Sequence, residues 1–356
     1  MSLIPVHDVE IHSDAWQVVL PLERPIGTPV GPFREVSCVV VRLRDESGLS
    51  GCGYSLAYDA PSFDHLARSV KGLLAEQPTD LADLLRIERT ADDGGDKMVR
   101  KAVSAISLAS WDLLGRQRGR ACADMWGRPP QRTAVPAYAS ALFLDRSSAE
   151  LVDEARALKA SGYRSAKMRG GKSPAEDAVR FDAVRSVYAE PQSLAIDFVF
   201  QSDLARTREF SRRIGAAPMW IEDPVTYDMI GAFGAGEGLA AGESCESAAA
   251  LVKLHASGIG RLILDVECLG GPLRFLEAAR ILQALGCEVG SHTFAHESIH
   301  LLASLPESMP VEMLDWWNPL FNEVPVPNGS GAYPVKGPGL GRTLCEETLK
   351  QFGRAI

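Results

Sequence analysis

Charged and titratable side chains end a series of short apolar runs in the middle of the chain. The series comprises Lys167 with Arg169, Asp197, Glu222 with Asp223, Glu243, Asp265, His292 and Glu312. Any one of these residues could be a solvated strand end or a helix cap, but successive runs share the feature. The recurrence predicts that the side chains meet at one functional site.

Three of the carboxylates, Asp197, Glu222 and Glu243, could together hold a hard divalent cation. If the apolar runs are parallel strands of one barrel, their carboxyl ends converge at the same mouth. Three carboxylate oxygens would leave coordination positions for water and for a substrate, an arrangement that suits Mg²⁺. The sequence therefore predicts a magnesium site.

The elements that must position these residues follow a repeated pattern from about residue 134 onward. Apolar runs alternate with amphipathic segments such as residues 148–161 and 175–188, where apolar residues recur at three- and four-residue spacings. This alternation is typical of strand-helix units around a parallel sheet. Eight strands are predicted, at residues 134–140, 164–168, 193–197, 219–223, 239–243, 261–265, 287–292 and 311–314.

A second folding unit precedes and follows the barrel in the sequence. Antiparallel strands are predicted at residues 16–57, with a hairpin at residues 46–48, and helices from 62 to about 125. The Pro- and Gly-rich segment 322–341 cannot be helical and is expected to return to this first unit. We predict an α/β fold, with a modified (β/α)8 TIM-type barrel and a discontinuous α+β capping domain. The predicted bounds are 1–127 for the first part of the cap, 128–318 for the barrel and 319–356 for the returning segment.

The overall composition restricts the class of protein. The 356 residues are 46% hydrophobic and 23% charged, with a net charge of −9. Scattered basic residues argue against nucleic-acid binding, and no apolar stretch approaches the length of a membrane span. The first ten residues lack the order of a signal peptide, which predicts a cytoplasmic protein. Seven cysteines without a CxxC pair predict reduced core residues rather than disulfides or structural zinc.

Short motifs along most of the chain resemble the enolase superfamily, specifically its mandelate racemase subgroup. They are KMR (167–169), LAID (194–197), WIEDP (220–224), AAGES (240–244), LDVECLGG (264–271), GSH (290–292) and VEMLD (311–315), together with the helix at 105–119 and PGLG (338–341). The resemblance implies a capping domain over a modified barrel, and Mg²⁺ held by the three carboxylates. It also implies a small-molecule carboxylate as substrate and a symmetric homo-oligomer.

The resemblance further implies roles for individual residues. A metal on the substrate carboxylate stabilises the enediolate that forms when the α-proton is removed. Lys167 would add positive charge there, and Glu312, protonated or sharing a proton, would donate a hydrogen bond to the other oxygen. His292 and Asp265 would form the acid/base dyad, in which the aspartate orients the imidazole and raises its basicity. Ser140 is either a further carboxylate contact or a buried structural hydroxyl.

Two positions depart from the family pattern. Arg169 stands where many relatives carry a second lysine, and arginine is a poor base because it stays protonated. A racemase needs proton carriers on both faces of its substrate, whereas syn elimination of water can use one histidine. This favours a dehydratase of an acid sugar or hydroxy acid, with racemisation or epimerisation as the alternative. Arg169 could also bind a second carboxylate or a hydroxyl. Phe198 and Val199, with Trp316 and Trp317, suggest a less polar pocket, and packing against the cap is the alternative for the two tryptophans.

Further hypotheses concern a competing motif, a non-catalytic relative, the glycine-rich connection and the source of specificity. The segment HESIH (296–300) matches the zinc-hydrolase pattern H-E-x-x-H, a motif short enough to arise by chance. A non-catalytic relative is a second alternative, although the complete metal and dyad sets argue against it. The glycine-rich connection 231–238 predicts a shortened or missing helix rather than a nucleotide site. Specificity is expected from the cap, at residues 28–33 and around Tyr58.

Overall fold

The computed structural model describes residues 11–76, 81–91, 93–127, 132–190, 192–234 and 238–356. The predicted start of the capping domain and the predicted boundary at residue 128 lie outside these ranges, as do residues 235–237 of the glycine-rich connection. In the part that is described, no helix has both the length and the apolar character needed to cross a bilayer.

The capping domain begins with an antiparallel sheet covered by helices. Its strands are β1 (Ile11–Thr28), β2 (Gly31–Asp45) and β3 (Ser50–Ala57). Its helices are α1 (Ala60–Glu76), α2 (Leu81–Leu84), α3 (Lys97–Arg118) and α4 (Cys122–Trp126), with a 3-10 turn at Ile87–Thr90. The predicted hairpin at residues 46–48 is present, because Asp45 Oδ1 accepts hydrogen bonds from the Ser47 and Leu49 N–H groups at 3.0 Å.

Helix α3 packs directly on β3, and two glycines make this possible. A Cβ atom at Gly51 would lie 2.3 Å from the Ala109 carbonyl oxygen, and one at Gly53 would lie 2.1 Å from that of Ala105. No larger residue fits at either position without moving the helix. At its start, α3 is capped by Asp96, which accepts from the Met98 and Val99 N–H groups. The close packing fixes where the first turn of α3 lies relative to the barrel.

The eight predicted barrel strands are all present as a curled parallel sheet. They are β4 (Ala134–Ser140), β5 (Ala166–Arg169), β6 (Leu194–Asp197), β7 (Ile221–Glu222), β8 (Leu239–Ala241), β9 (Arg261–Leu264), β10 (Glu288–Ser291) and β11 (Val311–Met313). The ladder runs from β10 through β9 down to β4 and then to β11. Between β10 and β11, the Met309 N–H donates to the Val289 carbonyl at 2.8 Å. The barrel is therefore modified rather than fully regular.

Helices pack around these strands. They are α5 (Ser148–Ala160), α6 (Pro174–Arg185), α7 (Leu204–Arg213), α8 (Ala248–Ala256), α9 (Val266–Leu269), α10 (Pro272–Ala284) and α11 (Ala295–Ala303). Ser147 and Ser173 begin α5 and α6 with complete capping boxes. In the glycine-rich connection after β7 the described part forms a 3-10 turn, Ile230–Phe233, in agreement with the predicted shortened helix.

A layer of interior side chains fills the barrel beneath its mouth. The layer alternates large and small residues from different strands, namely Tyr138, Ala195, Trp220, Ala240, Ile263 and Met309. Tyr138 and Trp220 meet edge to face with their ring centroids 5.2 Å apart. The barrel interior is thus a packed core beneath its mouth.

The C-terminal segment contacts both units. After a 3-10 turn at Asp315–Leu320 come β12 (Ala332–Pro334), α12 (Glu346–Phe352) and β13 (Gly353–Ala355). β12 pairs with the barrel strand β4, and β13 pairs with β1 of the cap. All seven cysteines are free, and six of them are buried, as the sequence predicts.

Candidate active site

The predicted site residues meet at the carboxyl ends of the barrel strands. In the parallel register, Arg169 lies beside Asp197 and Asp197 beside Glu222. A cavity of about 340 Å³ opens at this mouth. Its walls include Arg169, Asp197, Glu243, Asp265 and His292 from the barrel, and Thr28, Val30, Phe33 and Tyr58 from the cap. The cap segment 28–33, predicted to determine specificity, therefore reaches the cavity.

Lys167 lies at the centre of the buried charges. Its Nζ atom contacts Glu222 Oε1, and it lies 3.5 Å from Asp197 Oδ2 and 2.9 Å from Glu312 Oε1. Burial lowers the pKa of Lys167, but the Glu222 and Glu312 carboxylates raise it above its ordinary value overall. The side chain is therefore a permanent cation beneath the cavity.

Each of the three predicted metal ligands faces a cationic side chain. Asp197 pairs with Arg169, Glu222 with Lys167, and Glu243 Oε2 lies 3.3 Å from His292 Nε2. Second contacts hold two of the carboxylates: the Val199 N–H donates to Asp197 Oδ1 at 2.8 Å, and Trp220 Nε1 donates to Glu222 Oε2 at 2.7 Å.

The surplus of buried negative charge here fits a divalent cation. Asp223 follows Glu222 and is also buried, and its Oδ1 atom has no hydrogen-bond partner. Burial and the adjacent Glu243 and Glu222 carboxylates raise the pKa of Asp223 well above its ordinary value. A hard cation held by carboxylate oxygens would relieve this repulsion, and that donor set suits Mg²⁺.

A second acidic cluster nearby does not have the character of a metal site. Among the described residues, ligand atoms within 4.8 Å of one another are found on Asp265, Glu267 and Cys268, not on the three predicted ligands. Asp265 binds His292, and Glu267 pairs with Lys101 at 2.5 Å. Burial raises the pKa of the Cys268 thiol well above its usual value, so it stays protonated. The cluster's oxygens are committed to protein contacts.

The predicted dyad is formed by the ends of two adjacent strands. Nδ1 of His292 lies 2.6 Å from Oδ2 of Asp265. The other carboxylate oxygen caps helix α9, accepting from the N–H groups of Glu267 at 2.8 Å and Cys268 at 2.9 Å. Burial lowers the pKa of His292, but Glu243 and Asp265 raise it to about 10. The imidazole is oriented and strongly basic.

Glu312 is held between Lys167 and the backbone after β10. Its Oε2 atom accepts from the Thr293 N–H at 2.9 Å, and its Oε1 faces Lys167. Burial raises its pKa, but Lys167, His292 and Arg169 hold that pKa well below its ordinary value. In this arrangement one oxygen of Glu312 accepts a hydrogen bond and the other pairs with Lys167, and its role as a donor to the substrate stays a prediction.

Arg169 and Ser140 are linked to each other. One guanidinium nitrogen of Arg169 pairs with Asp197, and another donates to Ser140 Oγ at 3.3 Å. Ser140 is buried behind the arginine and is not among the residues that line the cavity. Tyr58, in contrast, is 56% exposed at the cavity wall. Of the three residues predicted to contact substrate, Tyr58 and Arg169 line the cavity and Ser140 does not.

The chain is strained immediately after two of these strand ends. Val199 and Phe200 have φ angles of +47° and +61°, and Thr293 and Phe294 have +46° and +49°. Left-handed backbone is costly for such bulky residues. It turns the chain sharply after Asp197 and His292, and strain of this kind is common at functional sites.

Two contributors to the site were missed by sequence reasoning. Trp220, which holds Glu222, lies two residues before it in an extended segment, and the two-residue period of a strand could have revealed it. Lys101 lies on a cap helix far from the barrel in the sequence, and no local pattern indicates that it lines the cavity.

The HESIH segment does not form a zinc site. His296 Nε2 lies 2.8 Å from the Glu323 carbonyl, His300 Nδ1 accepts from the Ala123 N–H at 3.2 Å, and Glu297 pairs with Arg342. Burial and Arg342 lower the pKa of both imidazoles to about 3. The two histidines are neutral packing and hydrogen-bonding groups in α11, and Glu297 is half of a buried ion pair.

Comparison with known families covers nearly the whole chain. The family model described as "Mandelate racemase / muconate lactonizing enzyme, N-terminal domain" matches residues 8–127. The one described as "Enolase C-terminal domain-like" matches residues 150–348.

Curated relatives are similar along most of their length. L-talarate/galactarate dehydratase from Salmonella typhimurium is 26% identical over 92% of this chain and 87% of its own. The 3,6-anhydro-alpha-L-galactonate cycloisomerase of Streptomyces coelicolor is 27% identical over 85% and 87%. N-succinyl-L-Arg/Lys racemase from Bacillus cereus is 24% identical over 95% and 96%. The relatives therefore include a dehydratase, a cycloisomerase and a racemase.

Solved structures share the fold. The Salmonella typhimurium dehydratase, liganded with Mg and L-lyxarohydroxamate, superposes with a TM-score of 0.86 at 22% identity, covering 100% of this chain and 95% of that one. An enolase from Bradyrhizobium complexed with magnesium and mandelic acid gives a TM-score of 0.85 at 23% identity, covering 99% and 100%. Both place the same cap and barrel together.

Proposed function

For this chain, which belongs to the enolase superfamily in its mandelate racemase and muconate lactonizing enzyme group, we propose a Mg²⁺-dependent dehydratase activity. Its substrate would be an acid sugar or a related hydroxy acid. The observation that carries the proposal is an asymmetry: His292 is oriented as a base, whereas the position of a second base holds Arg169, committed to Asp197.

The metal would be held by Asp197, Glu222 and Glu243. When bound to the substrate carboxylate, Mg²⁺ supplies the positive charge that stabilises a developing enediolate. Lys167 contributes a second positive charge from beneath, and its buried position keeps that charge in a low-dielectric setting where it acts strongly.

His292 would carry the proton through both halves of the reaction. Nδ1–H donates to Asp265, which leaves Nε2 as the reacting nitrogen. Without the metal the imidazole is protonated and its Nε2–H faces Glu243; once Glu243 holds Mg²⁺ instead, Nε2 can lose this proton and take the α-proton. The electron pair of the C–H bond is delocalised into the carboxylate and then forms the α,β double bond as the β C–O bond breaks. The imidazolium returns its proton to the departing hydroxyl, which leaves as water. The resulting enol tautomerises to a 2-keto acid.

Arg169 would position the substrate rather than move a proton. A guanidinium stays protonated at ordinary pH, and this one is oriented by Asp197 and Ser140. Its remaining N–H groups can donate to a substrate hydroxyl or carboxylate at the cavity wall. Tyr58 would contact the part of the substrate nearest the cap.

The names of several relatives support this chemistry. Talarate/galactarate, arabinonate and rhamnonate dehydratases are among the similar proteins. A racemase and cycloisomerases are also among them, so racemisation or epimerisation of an α-substituted carboxylate is the second candidate.

Incubation of the Mg²⁺-loaded protein in D₂O with a library of acid sugars and hydroxy acids tests the proposal. We expect a 2-keto product from at least one acid, with turnover abolished in His292→Asn while Mg²⁺ binding is retained. An inverted α-centre without a keto product would indicate the racemase instead. Absence of both α-proton exchange and product across the library would refute the catalytic proposal.

A further inference from the structure

Helix α3 of the cap presents two lysines to the catalytic cavity. Lys97 and Lys101 are four residues apart and therefore lie on the same helical face. Both line the cavity that also contains His292 and Asp265. The reaction proposed above uses neither of them.

Lys101 is fixed by a buried network between the cap and the barrel. Its Nζ atom donates to the Leu56 carbonyl at 3.0 Å and pairs with Glu267 Oε1 at 2.5 Å. The Leu56 N–H donates in turn to Glu267 Oε2 at 2.8 Å. An ammonium group has three N–H donors, so one remains beyond these two contacts. The lysine is only 3% exposed, which makes it a rigid donor beside the cavity.

Lys97 carries a charge that nearby carboxylates do not neutralise. Asp96 caps α3 and lies 3.3 Å from His65, Glu246 pairs with Arg100, and Asp93 pairs with Arg274. Within the described ranges, no carboxylate lies within 4.0 Å of Lys97. The side chain is exposed at the cavity edge and can move toward a ligand.

The remaining cap-side wall has a different character. Val30 and Phe33 from the turn between β1 and β2, with Leu314 and Trp316, form an apolar surface, and the rings of Phe33 and Trp316 lie 6.3 Å apart. This surface suits the C–H groups of a substrate chain and offers no partner for an anion. On the cap side of the cavity, the cationic partners for an anionic distal group are therefore Lys97 and Lys101 of α3.

We propose, building on the dehydratase function above, that Lys97 and Lys101 bind a second carboxylate at the distal end of the substrate. The enzyme would then prefer dicarboxylic acid sugars over monocarboxylic ones. Lys101 supplies a fixed donor and Lys97 supplies uncompensated charge. Charge-assisted hydrogen bonds of this kind change affinity by about tenfold or more.

Calorimetric binding of matched acids to the Mg²⁺-loaded protein tests this inference. Galactarate and galactonate, and glucarate and gluconate, differ only in the distal group. We expect at least one dicarboxylate to bind about tenfold more tightly than its partner. Lys97→Met should abolish that preference without weakening the monocarboxylate, and Lys97→Arg should retain most of it. Lys71→Met, which removes a lysine from helix α1 outside the cavity, should change neither.

Equal weakening of both acids by Lys97→Met, or no dicarboxylate preference in the unmodified protein, would overturn the inference. Lys101→Met also leaves Glu267 unpaired, so the test rests on Lys97. The two proposals can fail separately. Binding that depends on Lys97 without any α-proton exchange would refute the dehydratase alone, whereas dehydration that ignores the distal group would refute the lysine inference alone.

Discussion

His292 and Asp265 are joined by a 2.6 Å contact between Nδ1 and Oδ2, while the other oxygen of the same carboxylate caps helix α9. The carboxylate cannot rotate without uncapping that helix. The contact also sets the tautomer, because an ionised aspartate accepts the Nδ1 proton and leaves Nε2 as the base. A structural cap and a catalytic orientation thus depend on one side chain.

Replacing Asp265 with asparagine should separate these two roles. The amide oxygen can keep both cap hydrogen bonds, whereas the amide nitrogen would donate to Nδ1 and place the imidazole proton on Nε2. We expect kcat to fall by about 10³-fold or more, as in other enzymes where such a change reverses the tautomer. Steady-state kinetics and thermal unfolding measure the two effects. Near-normal kcat would contradict the assigned dyad, and a large loss of stability would show that the cap had been disrupted as well.

Arg169→Lys should supply the proton carrier that this site lacks. A lysine amine near Asp197 and Ser140 can lose its proton far more readily than a guanidinium. We expect deuterium exchange of the α-proton from both configurations of a substrate, and a reduced rate of dehydration. Proton NMR in D₂O follows both. Arg169→Met is the matched control, since it removes the charge without adding a base. If Arg169→Lys and Arg169→Met exchange the α-proton at the same rates, one-sided proton transfer does not depend on residue 169.

Much of the barrel could be predicted because each strand is a short apolar run with a polar end. The bounds were less accurate: the run at 219–223 forms a two-residue strand, Ile221–Glu222. Met219 N–H still bonds to the Leu194 carbonyl at 2.8 Å, but the regular ladder is shorter than the apolar run. An apolar run in the sequence indicates which residues are buried, whereas the bounds of a strand depend on its hydrogen bonds to the neighbouring strand.

The residues of the site could likewise be predicted only in part. Residues that end barrel strands were found because their position alone brings them together. Lys97 and Lys101 were not, because only the packing of α3 on β3 and the barrel brings them to the cavity. Of the two tryptophans, Trp316 lines the cavity, whereas the Trp317 ring is buried 6.0 Å from that of Tyr54 in the cap, which is the alternative expected for these residues. The symmetric homo-oligomer and the cytoplasmic location stay predictions.

Arg342 and Glu297 should behave as a buried structural ion pair. Both side chains are inaccessible to solvent, and the guanidinium also lies 4.2 Å from the Phe321 ring centroid. Arg342→Met would leave the Glu297 charge unpaired, which we expect to lower the free energy of unfolding by about 3–5 kcal/mol.

Urea denaturation of Arg342→Met, Glu297→Met and the double variant measures this pair. The double variant should regain part of the loss, because no unpaired charge remains buried. Neither change should alter the bound metal. Zinc that is retained by the purified protein and lost from a His296/His300 double variant would support the hydrolase interpretation of HESIH instead.

Val199→Asn should stabilise the protein. Valine is β-branched and sits at a φ of +47°, whereas asparagine tolerates left-handed backbone. The hydrogen bond from the residue 199 N–H to Asp197 is unaffected by the change. We expect a gain of about 1 kcal/mol in the free energy of unfolding.

Val179→Asn is the matched control, because Val179 lies on the exposed face of α6, and it should give no gain in stability. Phe181→Tyr is not a suitable comparison because the Phe181 ring is buried. A loss of stability in Val199→Asn would show that the valine side chain contributes more than its backbone strain costs.

Mg²⁺ should raise the thermal stability of the protein through the three carboxylates. A ligand that binds only the folded state at 100 times its Kd contributes about 2.7 kcal/mol. Glu243→Gln is the most informative variant. Among the described residues Glu243 pairs with His292, and the loss of that contact is offset by relief of the repulsion between Glu243 and Asp223, so the apo protein should unfold at a similar temperature. Its unfolding temperature should no longer rise with Mg²⁺, since one anionic ligand is lost. Glu277→Gln, on the exposed face of α10, removes the same charge away from the site and should leave the response intact. A full Mg²⁺ response in Glu243→Gln, measured by differential scanning calorimetry after EDTA treatment and dialysis, would exclude that carboxylate from the metal site.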